Sequence, residues 1–193
     1  MKKTIFKRFF PLCLTTLWLF GLGACSDDVN NRYAHERAFL KFAPVTGVSM
    51  LSTAVNSLGT FCTIQLGTNG FIFRNAQGQT SSPYPYTAEI QSYGQPECIA
   101  GFVVGKSSIP DMNLQYPLVA YELACPNCYE KALITKPLTL SAGELLTCSR
   151  CNRVYDLKND GNISKGDEGV PVYRYRTVSY AENVSGGMLI IVN

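Results

Sequence analysis

Leu118-Val119-Ala120-Tyr121-Glu122-Leu123-Ala124-Cys125-Pro126-Asn127-Cys128 is an apolar, β-branched and aromatic run that opens just after Pro117 and ends in a Cys-x-x-Cys turn. Its length and its bounding residues predict a strand over Leu118–Ala124 that delivers the first pair of sulfurs. The plan recurs downstream. Leu138-Thr139-Leu140, a turn at Ser141-Ala142-Gly143 and Glu144-Leu145-Leu146-Thr147 read as a hairpin ending at Cys148-Ser149-Arg150-Cys151. Nineteen residues separate the two cysteine turns. Zinc imposes no geometry of its own and is satisfied by four thiolates at about 2.3 Å, so two such turns can each supply half of a tetrahedral site. Cys125, Cys128, Cys148 and Cys151 are therefore the candidate metal ligands. The same four sulfurs could hold a [2Fe-2S] cluster, and in an oxidising compartment they could pair as disulfides. Spacing leaves the three open.

Outward from the cysteines, the chain reads mostly as β-structure. Phe61–Leu66, Gly70–Arg74 and Ile99–Val104 are short apolar runs bounded by Gly, Asn, Ser or Pro, and they predict strands of a sandwich. Val170–Val178 alternates and is expected to pair with Gly187–Val192 across a turn at 183–186, with Tyr173 and Tyr175 on one face and the arginines on the other. One short helix is expected around Val48–Leu58. Asp156 to Asp167 echoes a calcium loop, but Lys158 stands where an oxygen ligand is needed, so a turn is expected. Tyr84-Pro85-Tyr86 with Tyr93 is expected to pack locally rather than to stack on a sugar. Cys62 and Cys98 lie in separate strand-like segments, either as a disulfide or as two buried thiols.

At the start, Lys2, Lys3, Lys7 and Arg8 precede an apolar run from Phe9 to Leu22 and then Gly23-Ala24-Cys25. A basic region, a run too short for a comfortable membrane span and a small-residue cleavage point make a bacterial secretory signal over residues 1–24. Leu22-Gly23-Ala24-Cys25 resembles the lipobox of bacterial lipoproteins, which implies lipidation of Cys25 and anchoring to a membrane. Ser26-Asp27-Asp28 resembles the acidic export tag of surface lipoproteins of the Bacteroides group, so an outer-membrane location is expected, on its periplasmic face or the cell surface. Residues 25–38 are polar and read as a lipidated tether, and residues 39–193 as one domain. The signal takes four basic residues with it, leaving 13 Lys and Arg against 14 Asp and Glu. With no basic patch in the remaining chain, nucleic acid is not an expected partner. His35 is the only histidine, which denies histidine-based hydrolysis its material and argues against an enzyme.

Leu123 to Cys128, Leu146 to Cys151, Val154-Tyr155-Asp156-Leu157, Asp160-Gly161, Lys165-Gly166 and the closing hairpin together resemble the Rieske iron-sulfur domain over about residues 118–193. The resemblance implies an all-β, Rieske-like antiparallel sandwich with a rubredoxin- or zinc-ribbon-like metal-binding subdomain over about residues 123–166. In that family each turn pairs one Cys with one His. Here Cys128 and Cys151 stand near the histidine positions, so a centre with two imidazole ligands is excluded by composition. Tyr155 falls where the family places a tyrosine that hydrogen-bonds a ligand sulfur. Lys7-Arg8 is no twin-arginine signal, so the chain is expected to cross the membrane unfolded and to take up metal afterwards. A lipid-anchored protein with a mainly structural zinc-like site follows as the leading expectation. The rivals are electron transfer through a [2Fe-2S] cluster to an envelope protein partner, and a disulfide-stapled surface protein.

Overall fold

Phe61, Cys62, Thr63 and Ile64 are all buried, so the strand that carries them has protein on both faces. That double coverage organises the molecule. The computed structural model describes residues 33–180 and 185–193, and the expected signal, Cys25 and most of the tether lie outside them. The elements are β1 (Phe39–Phe42), α1 (Ser49–Asn56), β2 (Thr60–Gly67), β3 (Gly70–Asn75), α2 (Ala88–Ser92), β4 (Phe102–Lys106), β5 (Leu118–Glu122), α3 (Pro126–Ala132), β6 (Thr139–Ser141), β7 (Leu145–Thr147), β8 (Val154–Asp156), β9 (Asn162–Lys165), β10 (Arg174–Tyr180) and β11 (Met188–Val192). A seven-stranded antiparallel sheet has the order β1-β11-β10-β5-β4-β2-β3, and a four-stranded one the order β6-β7-β8-β9.

Alternation along the central strands sends successive side chains to opposite faces. Cys62, Ile64, Phe102, Val104 and Ala120 join Phe71, Phe73, Leu189 and Ile191 in one core, closed by Leu51 and Ala54 of α1. Phe61, Val103, Val119 and Tyr121 face the other way, onto Leu140, Leu146, Tyr155 and Leu157 of the smaller sheet. The mostly β, antiparallel reading of the sequence is thus what the structure shows. The first core is rich in rings meeting edge to face, with Phe42 at 5.4 Å from both Phe71 and Phe73. Tyr84 and Tyr86 add to it against Phe42 and Phe71, which is the local packing expected of the Tyr-Pro-Tyr stretch.

Several boundaries move, each for a visible reason. β4 starts at Phe102 instead of Ile99 because the Ile99 and Ala100 N–H groups donate to the Glu122 carboxylate, both at 2.9 Å, instead of to a neighbouring strand. β10 starts at Arg174 because Val170 is bonded to the Asn127 side chain and the Val172 N–H donates to Gly161. Tyr175 then faces the first core, and Arg174 faces Asp160 and Tyr121. The pairing with β11 is as expected, Arg176 opposite Val192, while the turn between them falls partly outside the described residues. The short helices α2 and α3 were not expected. Thr87 caps α2 by accepting the Ile90 N–H, and Pro126 opens α3 where its missing N–H costs nothing. The compact unit begins at Tyr33, earlier than the expected tether boundary, with the Ala34 N–H on the Arg174 carbonyl at 2.9 Å. Cys62 and Cys98 are free thiols, so the disulfide alternative is not what is found. Cys62 lies opposite Val104 within the first core, and Cys98 packs against that core from the loop before β4. Burial pushes both thiols up to about 12, which disfavours their thiolates. The stretch from Asp156 is a turn, with its carboxylate accepting the Lys158 N–H.

Glu122 is fully buried and accepts from Ile99, Ala100 and Ala124 N–H groups and from the Tyr175 hydroxyl. It ties the loop before β4, the strand β10 and the chain entering the first cysteine turn to one point. Glu122→Ala is expected to lower stability by at least about 3 kcal/mol, since each orphaned buried donor costs about 1–3 kcal/mol. Urea unfolding monitored by circular dichroism measures this, and an unchanged midpoint would remove the carboxylate from the frame.

Candidate metal centre

Cys125 follows directly on the residue that Glu122 holds, and its own N–H donates to the Lys136 carbonyl at 3.0 Å. The Ala124–Pro137 bridge and the Leu138 N–H on the Leu123 carbonyl close the base of this loop. Within it, the first turn of α3 winds Cys128 back over Cys125, with the Cys128 N–H on the Cys125 carbonyl at 3.2 Å. The second turn leaves β7 and returns into β8. The Cys148 N–H meets the Arg153 carbonyl, the Asn152 N–H meets the Cys148 carbonyl, and Asn152 takes the left-handed φ of 58° that asparagine tolerates.

The four sulfurs lie within 4.8 Å of one another. The hydrogen-bonded pairs join one turn to the other, Cys125 to Cys151 at 3.6 Å and Cys128 to Cys148 at 3.8 Å. A tetrahedron with metal–sulfur bonds of about 2.3 Å has edges of about 3.8 Å, so a single ion fits between these sulfurs. The separations are far from the roughly 2.05 Å of a disulfide. All four are free thiols.

Burial disfavours charge on these groups. It is the chief reason the Cys125 and Cys128 thiols are pushed up, helped at Cys128 by the neighbouring sulfurs. Cys151 goes the other way. Burial opposes its ionisation too, but the Arg153 backbone N–H, the Arg153 guanidinium and the adjacent thiols outweigh it and bring it down to about 6.

Tyr155 sits 3.2 Å from the Cys125 sulfur through its hydroxyl and is fully buried. Asn127, between the first two cysteines, donates to that hydroxyl at 3.0 Å, which leaves the phenolic hydrogen for the sulfur. The same amide clamps Val170 in both directions, donating to its carbonyl at 2.8 Å and accepting its N–H at 3.0 Å. Gly169 makes this approach, because a Cβ there would collide with the Asn127 side chain. Arg153 is 4% exposed and donates to the Asp167 and Glu168 carbonyls at 2.9 and 3.0 Å, holding that loop beside Cys151.

Comparison with protein-family models, with curated proteins and with solved structures gave no match. The centre therefore rests on its own geometry. That geometry brings together the five residues singled out from the sequence, the four cysteines and Tyr155. Asn127, Arg153 and Glu122 were missed. Their only trace in the sequence is position, a polar residue between or beside two cysteines and an acid three residues ahead of the first.

Asn127→Ala is expected to weaken metal affinity 10- to 100-fold, the usual effect of removing a group that orients a ligand. Tyr155→Phe, which keeps the ring and loses the sulfur hydrogen bond, should fall at the lower end. Competition with a chromogenic chelator measures both, and wild-type affinity in both variants would dismiss the supporting network.

Proposed function

We propose that this chain is an extracytoplasmic, lipid-anchored protein in which Cys125, Cys128, Cys148 and Cys151 hold one structural ion of the zinc class at one end of a Rieske-like β domain. The observation that carries the reading is the sulfur geometry, since pairs at 3.6 and 3.8 Å match the edge of a tetrahedron around one ion. A two-iron cluster interposes two metals and bridging sulfides, and it needs the sulfur pairs spread farther than 4.8 Å. The setting also supports a structural role. The two turns come from different sheets' strands, and the small sheet is built of strands three or four residues long. Strands so short hold together poorly without a further tie. The signal, Cys25 and the membrane attachment are supported by the amino-terminal sequence pattern.

One observation favours electron transfer as a second reading. The Tyr155 hydroxyl on the Cys125 sulfur and the partly exposed Cys151 would tune an iron and give it an edge open to a partner. A single iron fits the same tetrahedron as zinc.

Metal analysis of the protein purified without added metal decides. About one zinc per chain and a colourless solution is the expected outcome. Iron with visible absorbance would replace the structural reading by the redox one, and no metal with oxidised thiols would end both. If the ion is structural, its removal by a chelator should abolish amide protection in β6–β9 while β2, β4 and β5 keep theirs, read by hydrogen exchange.

A further inference from the structure

The loop that joins β4 to β5, residues 107–117, holds four large apolar side chains out of the protein: Met112 fully, Leu114 at 78%, Ile109 at 49% and Tyr116 at 42%. Two more exposed apolar residues stand at the same end of the large sheet. Leu58 precedes Gly59, whose N–H donates at 2.8 Å to the carbonyl of Lys106, where β4 ends. Val178 follows Thr177, whose hydroxyl donates at 2.6 Å to the carbonyl of Leu118, where β5 begins. Exposed apolar side chains grouped in this way mark a contact surface rather than a scattered few.

The backbone of this loop is satisfied from within. The Ser107 N–H closes its base on the Pro117 carbonyl at 3.0 Å. At the tip, the Asp111 N–H donates to the Gln115 carbonyl and the Leu114 N–H to the Asp111 carbonyl, while the Asp111 carboxylate accepts the Asn113 and Gln115 N–H groups, each at 2.9 Å. The Ile109 N–H goes to the Ser107 hydroxyl, and Pro110 has none to satisfy. Leu114 takes a left-handed φ of 58°, a position that Gly or Asn fills more cheaply, so the turn itself does not call for a leucine. Lipid is the surroundings that demand internally bonded backbone groups beneath apolar side chains, a demand that a polypeptide partner does not make. Asp111 is the only charged residue of the loop, so no charge pattern points to an acidic or basic partner.

Where the described chain begins agrees with this. Tyr33 stacks on the Arg176 guanidinium at 4.7 Å, and Arg176 adjoins Thr177, which is bonded to the base of the loop. Cys25 lies eight residues before Tyr33, a reach of at most about 28 Å. A lipid carried on Cys25 therefore holds the domain close to a bilayer, by a segment that joins it beside this loop.

We propose that the β4–β5 loop rests on the lipid surface, with Met112 and Leu114 among the acyl chains and Tyr116 at the level of the headgroups, so that the domain meets the bilayer in one orientation. The proposal rests on the reading of Cys25 as lipidated. Apolar side chains at such a boundary sink about 5–10 Å, and tyrosine favours the headgroup region. β5 runs from this loop toward Cys125, so the metal centre is carried to the end of the strand that points away from the lipid.

The test uses the protein extracted from bacterial membranes and reconstituted into vesicles of phosphatidylcholine brominated on its acyl chains, which quench tryptophan. Trp18 is the only tryptophan of the chain and leaves with the expected signal, so Met112→Trp introduces a single reporter. Its emission is expected to shift to the blue and to lose most of its intensity relative to unbrominated vesicles, and a second change, Leu114→Ser, should lessen that loss. Leu133→Trp, beyond the first cysteine turn and 75% exposed, should stay red and unquenched. Mass spectrometry of the same sample reads the acylation of Cys25. Acylated protein with an unquenched reporter at 112 overturns the loop contact and leaves the anchor standing, whereas protein without acyl chains overturns both. Equal quenching at 112 and 133 overturns the single orientation. A blue-shifted but unquenched reporter at 112 whose emission varies with protein concentration would put a second copy of the chain on the loop and overturn the lipid contact.

Discussion

Mutual repulsion among the sulfurs sets the terms for this end of the molecule. Two unit charges about 4 Å apart cost on the order of 4 kcal/mol at an effective dielectric of 20, and here four ionisable groups lie within 4.8 Å of one another. Without a cation the group cannot be four thiolates. Burial favours protons on the two sulfurs of the first turn, whereas Cys151 beside Arg153 is the thiol brought down. With a dication, all four become ligands, and both turns and the loop 166–168 acquire one fixed arrangement.

The large sheet supplies what the sulfurs cannot. Tyr121 and Val103 form a floor beneath Leu146 and Tyr155, while Glu122, one residue further along β5, turns its carboxylate to the other side and fixes the backbone leading to Cys125. Adjacent residues of one strand thus do two jobs on two faces. Their alternation transmits the stability of the large core to the placement of a ligand.

Much of this was legible in the sequence. Phe61–Leu66 and Gly70–Arg74 read as strands because apolar runs bounded by turn residues leave few alternatives, and the two cysteine turns announced their convergence by spacing. What stayed hidden were contacts between residues far apart in the chain. Nothing local says that Asn127 clamps Val170, 43 residues away, or that Ile99 bonds Glu122 rather than a strand. The same non-local bonds displaced the predicted starts of β4 and β10. Glu144 escaped for the opposite reason: its local pattern suited a strand, and a turn with left-handed backbone overrode it.

Of the four sulfur-bearing residues, Cys125, Cys128 and Cys148 are buried and Cys151 alone is partly exposed. Access is therefore one-sided. A competing thiol or a metal carrier can approach an ion in this centre only at Cys151, so exchange would proceed by displacement of that ligand first, with the three buried sulfurs following. Turnover of a bound ion would then be a property of one corner of the tetrahedron, where the Arg153 guanidinium favours the thiolate.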